Sequence, residues 1–328
     1  MSDFSLYTRM RDHGTLAETP QDIPDARFAL PSTVNWMRAL AILVTELDLD
    51  FAAAARAYCG VHRRALTDRE LNSVCEQLLF ALHQLSSLRA LATVSNKADV
   101  ARIGIIAWYY GVYGAASAMI AAGDGSFPDT HAATAQQWGH QFVAKGLVLP
   151  PFGDRLSSLR ADLVEQELAP IRARGKHSLT VAPASLEQAW GCHAEYLAGT
   201  AKWEQWNIQQ RVRETKEFKA LGADSFRTAA ARALRDAAFS RRGIAFLHEA
   251  SRYRGKANYR DSIYLAYGRS VPRTLGSFLD DLAIALGGFA AMAAGYVSRR
   301  IGREAWIAFI EDLEQKRSIT ISPKDEWS

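Results

Sequence analysis

Apolar side chains recur at helical intervals along most of this chain. Leu71, Val74, Leu78 and Leu82 lie three or four residues apart, which places them on one face of an α-helix. Similar spacing, bounded by capping residues, glycine and proline, predicts further helices at 34–58, 98–122, 131–143, 154–169, 185–219, 226–240, 243–266, 275–300 and 303–316. No stretch of useful length alternates with period two, so the predicted fold class is all-α.

Two of these segments contain a stretch without charged side chains that is long enough to raise the question of a membrane span. Residues 103–123 are about twenty in number, roughly the length that crosses a bilayer, and 282–298 is slightly shorter. Both are rich in alanine and glycine, and Tyr109, Tyr110 and Tyr113 lie in the middle of the first. Tyrosine favours the membrane interface over the bilayer centre. We therefore predict two helices at the centre of a helical bundle in water.

The chain divides by composition into three parts. We predict an irregular N-terminal segment at 1–30, a helical bundle at 31–220 and a basic C-terminal helical region at 221–328. The first residues lack the apolar run of a signal peptide. Cys59, Cys75 and Cys192 are odd in number and far apart, which argues against a disulfide framework or a structural zinc site. The predicted location is the cytoplasm, with no metal and no cofactor.

The segment ARIGIIAWYYGVYGAASAMIAAGDGSFPDTHAATAQQWGHQF, residues 101–142, joins an uncharged helix to a Gly-Asp-Gly break and then to a helix opening with Thr130 and His131. This order resembles the core hairpin of the HEPN superfamily of helical nucleotide-binding domains, and the resemblance extends over about 35–215. It implies an HEPN-like bundle, often a homodimer, that acts on RNA or nucleotides. Such proteins are frequent in bacterial toxin–antitoxin and phage-defence systems, so a cognate antitoxin or a defence-complex protein is an implied partner.

Nucleases of that family carry an arginine followed by a histidine four to six residues later. The sequence RARGKH satisfies this spacing with Arg172 and His177, although Ala173 stands where the family usually has a polar residue. Arg56–His62 and Arg242–His248 also fit the spacing, and only the position after the hairpin selects Arg172. The resemblance implies that His177 is the acid or base and that Arg172 stabilises charge on phosphorus, without metal. Arg174 and Lys176 are then expected to hold substrate phosphate.

A second basic candidate lies within 227–260, which contains nine Arg or Lys residues but only two acidic residues, Asp236 and Glu249. On one helix Arg252, Lys256 and Arg260 are spaced four residues apart and form a basic stripe. Arg254 and Tyr259 lie in the same segment. Such a local excess of positive charge favours a polyanion, and we expect these five residues to bind the RNA strand. The alternative is a basic helix neutralised by carboxylates from elsewhere in the fold.

Three functions remain open from the sequence. The first is a metal-independent endoribonuclease using Arg172 and His177. The second is a non-catalytic HEPN-like module that binds nucleotide, nucleic acid or a protein partner, and the third is a structural helical subunit. The chain has no Walker A loop, G-x-G-x-x-G, H-E-x-x-H or nucleophile elbow, so kinase, dinucleotide, zincin and hydrolase functions lack support.

Overall fold

The computed structural model describes residues 29–259, 265–266 and 271–328 of the chain. Over these residues the fold is all-α, as predicted. A π-helical turn at Gly139–Val143 continues the fifth helix. In chain order the α-helices are α1 (Ala29–Glu46), α2 (Phe51–Ala57), α3 (Asp68–Ala92), α4 (Lys97–Asp124), α5 (His131–Trp138), α6 (Ala161–Arg172), α7 (Leu186–Glu214), α8 (Lys216–Ala220), α9 (Ala229–Ser240), α10 (Phe246–Tyr259), α11 (Val271–Thr274), α12 (Phe278–Ile301), α13 (Arg303–Lys316) and α14 (Pro323–Trp327).

Three helices begin at the polar capping residues that the sequence predicts. Thr67 and Glu70 form a capping box in which each side chain meets the backbone N–H of the other. Thr130 accepts from the N–H of Ala133 and opens α5. Ser185 accepts from the N–H of Gln188 and opens α7. Each cap satisfies a backbone donor that has no partner inside the helix.

The predicted helix 34–58 is wrong in its continuity, because the structure has α1 and α2 with a tight turn between them. Asp48 in this turn has φ of 48°, a left-handed conformation that ends a helix. Asp50 then caps α2 by accepting from the N–H of Ala53. The apolar periodicity runs through the turn, and this is why it concealed the break.

The predicted helix 154–169 is also wrong at both ends. Residues before 161 are held in an extended conformation, because Leu156 and Ile244 exchange backbone hydrogen bonds of 2.9 and 2.8 Å. Helix α6 therefore begins at Ala161, and it continues through Pro170 to Arg172. Ala173 donates to the carbonyl of Ala169 at 2.9 Å, so the proline is accommodated in the last turn.

The centre of the fold is the contact between α4 and α12, the two predicted uncharged helices. Glycines on α4 bring the helices together: a Cβ atom on Gly104 would lie 2.4 Å from the Leu279 side chain, and one on Gly111 would lie 2.5 Å from Leu286. Helix α3 covers another side of α4, where Phe80 approaches Gly114. Leucine side chains thus fit into spaces that only glycine leaves open.

The main core crosses the predicted domain boundary at residue 220, because α12 supplies many of its residues, including Leu282 and Phe289, beside Trp108 of α4. A second, smaller core lies between α6, α7 and α9, where Leu168, Leu197 and Phe239 are buried. The basic C-terminal region therefore contributes both to the centre of the bundle and to this second core.

Buried aromatic rings connect helices that are far apart in the sequence. Trp36 of α1 stacks on Tyr196 of α7 with ring centroids 3.9 Å apart and an interplanar angle of 12°. Trp108 and Tyr253 contact the same indole edge-on or tilted, at 6.0 and 5.4 Å. Four helices distant in sequence therefore share one aromatic cluster, and such pairs contribute about 0.5–1.5 kcal/mol beyond their buried area.

Two described segments, Lys97–Asp124 and Val271–Ile301, are long and apolar enough to cross a membrane by length and composition. In each, 78% of the most apolar window is buried inside the protein. A core helix of a soluble bundle meets the same length and composition criteria.

Close packing at Gly295 generates a stability prediction. A Cβ atom there would lie 2.7–2.9 Å from Ala54 and the backbone of Ala55, so Gly295→Ala is expected to lower the free energy of unfolding by about 1–3 kcal/mol. Gly287→Ala on the same helix is the matched control. Its Cβ meets nothing within 4 Å, and we expect a gain of about 0.5–1 kcal/mol from helix propensity. Urea unfolding measures both, and equal changes would contradict the packing argument.

Candidate functional site

Arg172 and His177 line one open cleft of about 640 Å³. We call it the Arg172 cleft, and Lys176 and Glu195 are its other ionisable residues. Arg172 is the last residue of α6, His177 lies in the following loop, and Glu195 projects from α7. The tertiary structure therefore brings together the arginine and histidine that the sequence paired by spacing alone.

Two glycines hold the loop against α7. A Cβ atom on Gly191 of α7 would lie 2.2 Å from the backbone nitrogen of His177, and one on Gly175 would lie 1.8 Å from the carbonyl oxygen of Glu187. No larger residue fits at either point without moving the backbone. The position of His177 is consequently fixed by backbone packing on the helix that carries Glu195.

The guanidinium of Arg172 is held by two carboxylates. Its Nε donates to Oε1 of Glu195 at 3.2 Å, and Nη1 donates to Oε2 of Glu165 at 2.9 Å. Glu165 and Glu195 are 68% and 44% exposed, so water screens both pairs and each contributes about 0–1 kcal/mol. An incoming phosphate can therefore replace a carboxylate at modest cost.

His177 and Lys176 present different surfaces to the cleft. Lys176 is exposed and His177 is half-buried. The Nε2 atom of His177 is buried and has no hydrogen-bond partner among the described residues. A buried imidazole nitrogen without a partner leaves hydrogen-bonding capacity unused.

Arg174, the other predicted phosphate ligand of the loop, lies outside the lining of the Arg172 cleft. Its Nη2 donates to Oδ1 of Asp154 at 2.6 Å, and its guanidinium lies 4.0 Å from the ring centroid of Trp190. An ion pair and a cation–π contact together anchor the loop to α7 and to the segment before α6. The arrangement gives Arg174 a structural role.

The predicted strand-binding arginines of α10 also face protein. Arg252 donates to Oγ1 of Thr200 at 2.7 Å, and Arg254 lies over the ring of Tyr109 at 4.6 Å. Tyr253 between them is fully buried. The side chains of Lys256 and Tyr259 and the whole of Arg260 lie outside the described residues.

A buried cluster of ionisable residues, which no sequence pattern indicated, lies next to the loop that follows α6. His193 of α7 and Glu249 of α10 are almost completely buried, and Nε2 of His193 lies 3.3 Å from Oδ2 of Asp154. Neither carboxylate oxygen of Glu249 receives a hydrogen bond from the described protein groups. Asp154, His193 and Glu249 are at least 39 positions apart in the sequence, so no short motif joins them.

Burial and mutual charge set the protonation of this cluster. Burial raises the pKa of Glu249 to about 7, although His193 and Arg252 oppose the shift. Burial by itself lowers the pKa of His193, but the hydrogen bond with Asp154 and the charge of Glu249 outweigh it and raise the pKa. Within the described residues, no group of three or more His, Cys, Asp or Glu side chains is arranged to hold a metal ion.

Comparison with protein-family models, curated proteins and solved structures finds no match to this chain. The HEPN resemblance therefore stays a prediction, carried by the hairpin sequence and by the Arg172 cleft.

The buried carboxyl group generates a pH prediction. The folded pKa of Glu249, about 7, exceeds its ordinary value of 4.5, so between these pH values the folded protein binds more protons than the unfolded chain. This group therefore makes the wild type less stable as pH rises through that window. Glu249→Gln has no such loss, and its stability relative to the wild type is expected to increase by on the order of 2 kcal/mol from pH 5 to pH 8.

Urea unfolding of both proteins at the two pH values measures this difference. Glu187→Gln, at an exposed position at the start of α7, is the control and should follow the wild type. A constant gap between Glu249→Gln and the wild type at both pH values would show that Glu249 does not titrate in this range.

Proposed function

We propose that this protein is an RNA-directed, HEPN-like endoribonuclease that works without a metal at the Arg172 cleft. One observation carries the proposal: Arg172 and His177 line the same open cleft. A guanidinium binds two phosphate oxygens at once, and imidazole exchanges protons near neutral pH. These are the two chemical capacities that phosphodiester cleavage by a ribose hydroxyl requires.

The reaction assigned to the cleft is an internal transesterification. A base takes the proton of the ribose 2′-hydroxyl, the 2′-oxygen bonds to phosphorus, and the bond from phosphorus to the 5′-oxygen breaks. An acid then delivers a proton to that leaving oxygen, which gives a 2′,3′-cyclic phosphate and a 5′-hydroxyl. His177 and Glu195 supply the acid and the base, and Arg172 stabilises the extra negative charge on phosphorus.

Glu195 and Glu165 define how substrate enters. A phosphate that takes the place of Glu165 on Nη1 leaves the Glu195 contact to Nε in place, so the guanidinium stays oriented. The 3.2 Å contact also keeps Glu195 beside the reacting phosphate. Lys176, exposed at the edge of the cleft, adds positive charge for the neighbouring phosphate.

The pairing of Arg172 with two carboxylates favours a second candidate, a module that binds nucleotide or nucleic acid without cleaving it. In this case Glu165 and Glu195 limit how fully Arg172 neutralises a phosphate. The wider proposal includes a cytoplasmic location, a homodimer and an antitoxin or defence-complex partner. These features follow from the HEPN resemblance.

Cleavage of RNA by the purified protein in EDTA tests the first candidate. Arg172→Ala and His177→Ala are each expected to lower the rate by at least about 10²-fold, because each removes a group acting in the transition state. Arg69→Ala and His83→Ala, at exposed positions of α3, are matched controls that should cleave at the wild-type rate. The products are identified by their 2′,3′-cyclic phosphate ends.

Absence of cleavage by the wild type would overturn the ribonuclease proposal, as would wild-type rates in both cleft variants. RNA binding without cleavage, with affinity that falls steeply as salt increases, would instead support the binding module.

Expression in a bacterial host tests the proposed partner. The protein alone is expected to slow growth and degrade total RNA, and co-expression with the neighbouring gene is expected to reverse both effects. His177→Ala should be harmless with or without the neighbour. Equal toxicity of the wild type and His177→Ala would separate toxicity from RNA cleavage and count against the proposal.

A further inference from the structure

A second cleft, distinct from the Arg172 cleft, is lined by cationic side chains. It holds about 330 Å³, and Arg155, Arg241, Arg242, His140 and His248 contribute its ionisable groups. We call it the Arg241 cleft. No aspartate or glutamate is among the described residues that line it. Its volume lies at the lower end of the range for small-molecule sites.

Backbone contacts place the arginines side by side. The two hydrogen bonds between Leu156 and Ile244 hold the segment before α6 against the loop between α9 and α10. Gly243 permits this approach, because a Cβ atom there would lie 2.8 Å from the carbonyl oxygen of Leu156. Arg155 is thereby brought next to Arg241 and Arg242, across 86 residues of sequence.

Another part of the lining is the π-helical turn Gly139–Val143, which carries the exposed His140. Single π-helical turns are frequent at functional sites.

Most of the positive charge in the Arg241 cleft is unmatched. Arg155 and Arg241 are exposed and form no ion pair with the described residues. Arg242 pairs through Nε with Glu204 at 3.2 Å, and Glu204 lines the smaller neighbouring cavity rather than the Arg241 cleft. Arginines gathered without carboxylates repel one another. The repulsion turns into attraction when an anion occupies the space between them.

An exposed indole adjoins this charge. Trp203 of α7 is 44% exposed, and it lines a smaller cavity that shares Arg242 and His248 with the Arg241 cleft. An exposed tryptophan beside arginines offers a flat surface on which a nucleobase stacks, worth about 1–3 kcal/mol per base. Phosphate and inorganic anions use only the arginines, so the indole points to a ligand that also carries a ring.

We propose that the Arg241 cleft binds the phosphate of a nucleotide, with Trp203 stacking against its base. The nucleotide is either free or part of a single RNA strand, and the chemistry of recognition is the same. This site does not depend on cleavage at the Arg172 cleft.

Fluorescence anisotropy with a labelled ten-nucleotide 2′-O-methyl RNA tests the site, because blocking the 2′-hydroxyl prevents cleavage. The Arg155→Ala/Arg241→Ala variant is expected to weaken binding at least about tenfold. Its slope of log affinity against log salt should be shallower by about 1.4, since two phosphate contacts are lost. Arg56→Ala/Arg69→Ala, which removes two exposed arginines from α2 and α3, should match the wild type.

Trp203→Ala tests the stacking contact separately from charge. It is expected to weaken binding about five- to a hundredfold without changing the salt slope, since one stacked base is lost. Trp206→Ala is the control, because Trp206 is 57% exposed on the same helix and lines neither cavity. Circular dichroism melting of all variants verifies that they remain folded.

Competition identifies the source of the nucleotide. Displacement by adenosine monophosphate, but not by adenosine or inorganic phosphate, assigns a free nucleotide, and displacement by oligonucleotide alone assigns an RNA strand. Wild-type affinity and slope in Arg155→Ala/Arg241→Ala would overturn the proposal, as would absence of all binding. Binding is measured with the non-cleavable RNA and cleavage with unmodified RNA, so loss of cleavage and loss of this site are measured independently.

Discussion

The close contact between α4 and α12 is the constraint on which the rest of the structure depends. Gly104 and Gly111 let leucines of α12 reach the α4 backbone, and the two helices form the centre that the other helices of the main core surround. A helix that is apolar on all sides needs such complete cover in water. Helices α3 and α12 cover α4. The aromatic cluster around Trp36 packs α1, α7 and α10 against α4. Helix α7 in turn forms one wall of the Arg172 cleft.

The candidate site lies where this packing ends. The loop after α6 is held on α7 by Gly175 and Gly191, and the same helix presents Glu195 to Arg172. The ion pair between Arg174 and Asp154 anchors the loop. Asp154 also lies next to the buried His193, and Glu249 is buried in the same cluster. The Arg172 cleft thus rests on a buried, charge-coupled layer. Burial raises the pKa of Glu249 in this layer to about 7.

Basic residues of the C-terminal region divide into two groups in the structure. Arg252 and Arg254 are used inside the fold, where they contact Thr200 and Tyr109. Arg155 and Arg241 remain exposed and unpaired among the described residues. Charge density along the sequence locates the basic region, but it does not distinguish an arginine that packs on an aromatic ring from one that stays exposed. The distinction depends on which neighbours the fold supplies.

The sequence by itself determined the all-α class, the helix caps at Thr67, Thr130 and Ser185, and the long, mostly apolar α4, because these depend on periodicity and on local hydrogen bonds. It also singled out Arg172 and His177, by their spacing together with their position after the hairpin. Only the tertiary structure decided that α12 belongs to the main core, that Asp48 breaks the first predicted helix, and that Arg155 lies beside Arg241. Those outcomes depend on contacts between segments far apart in the chain, and no local pattern encodes the distance between them.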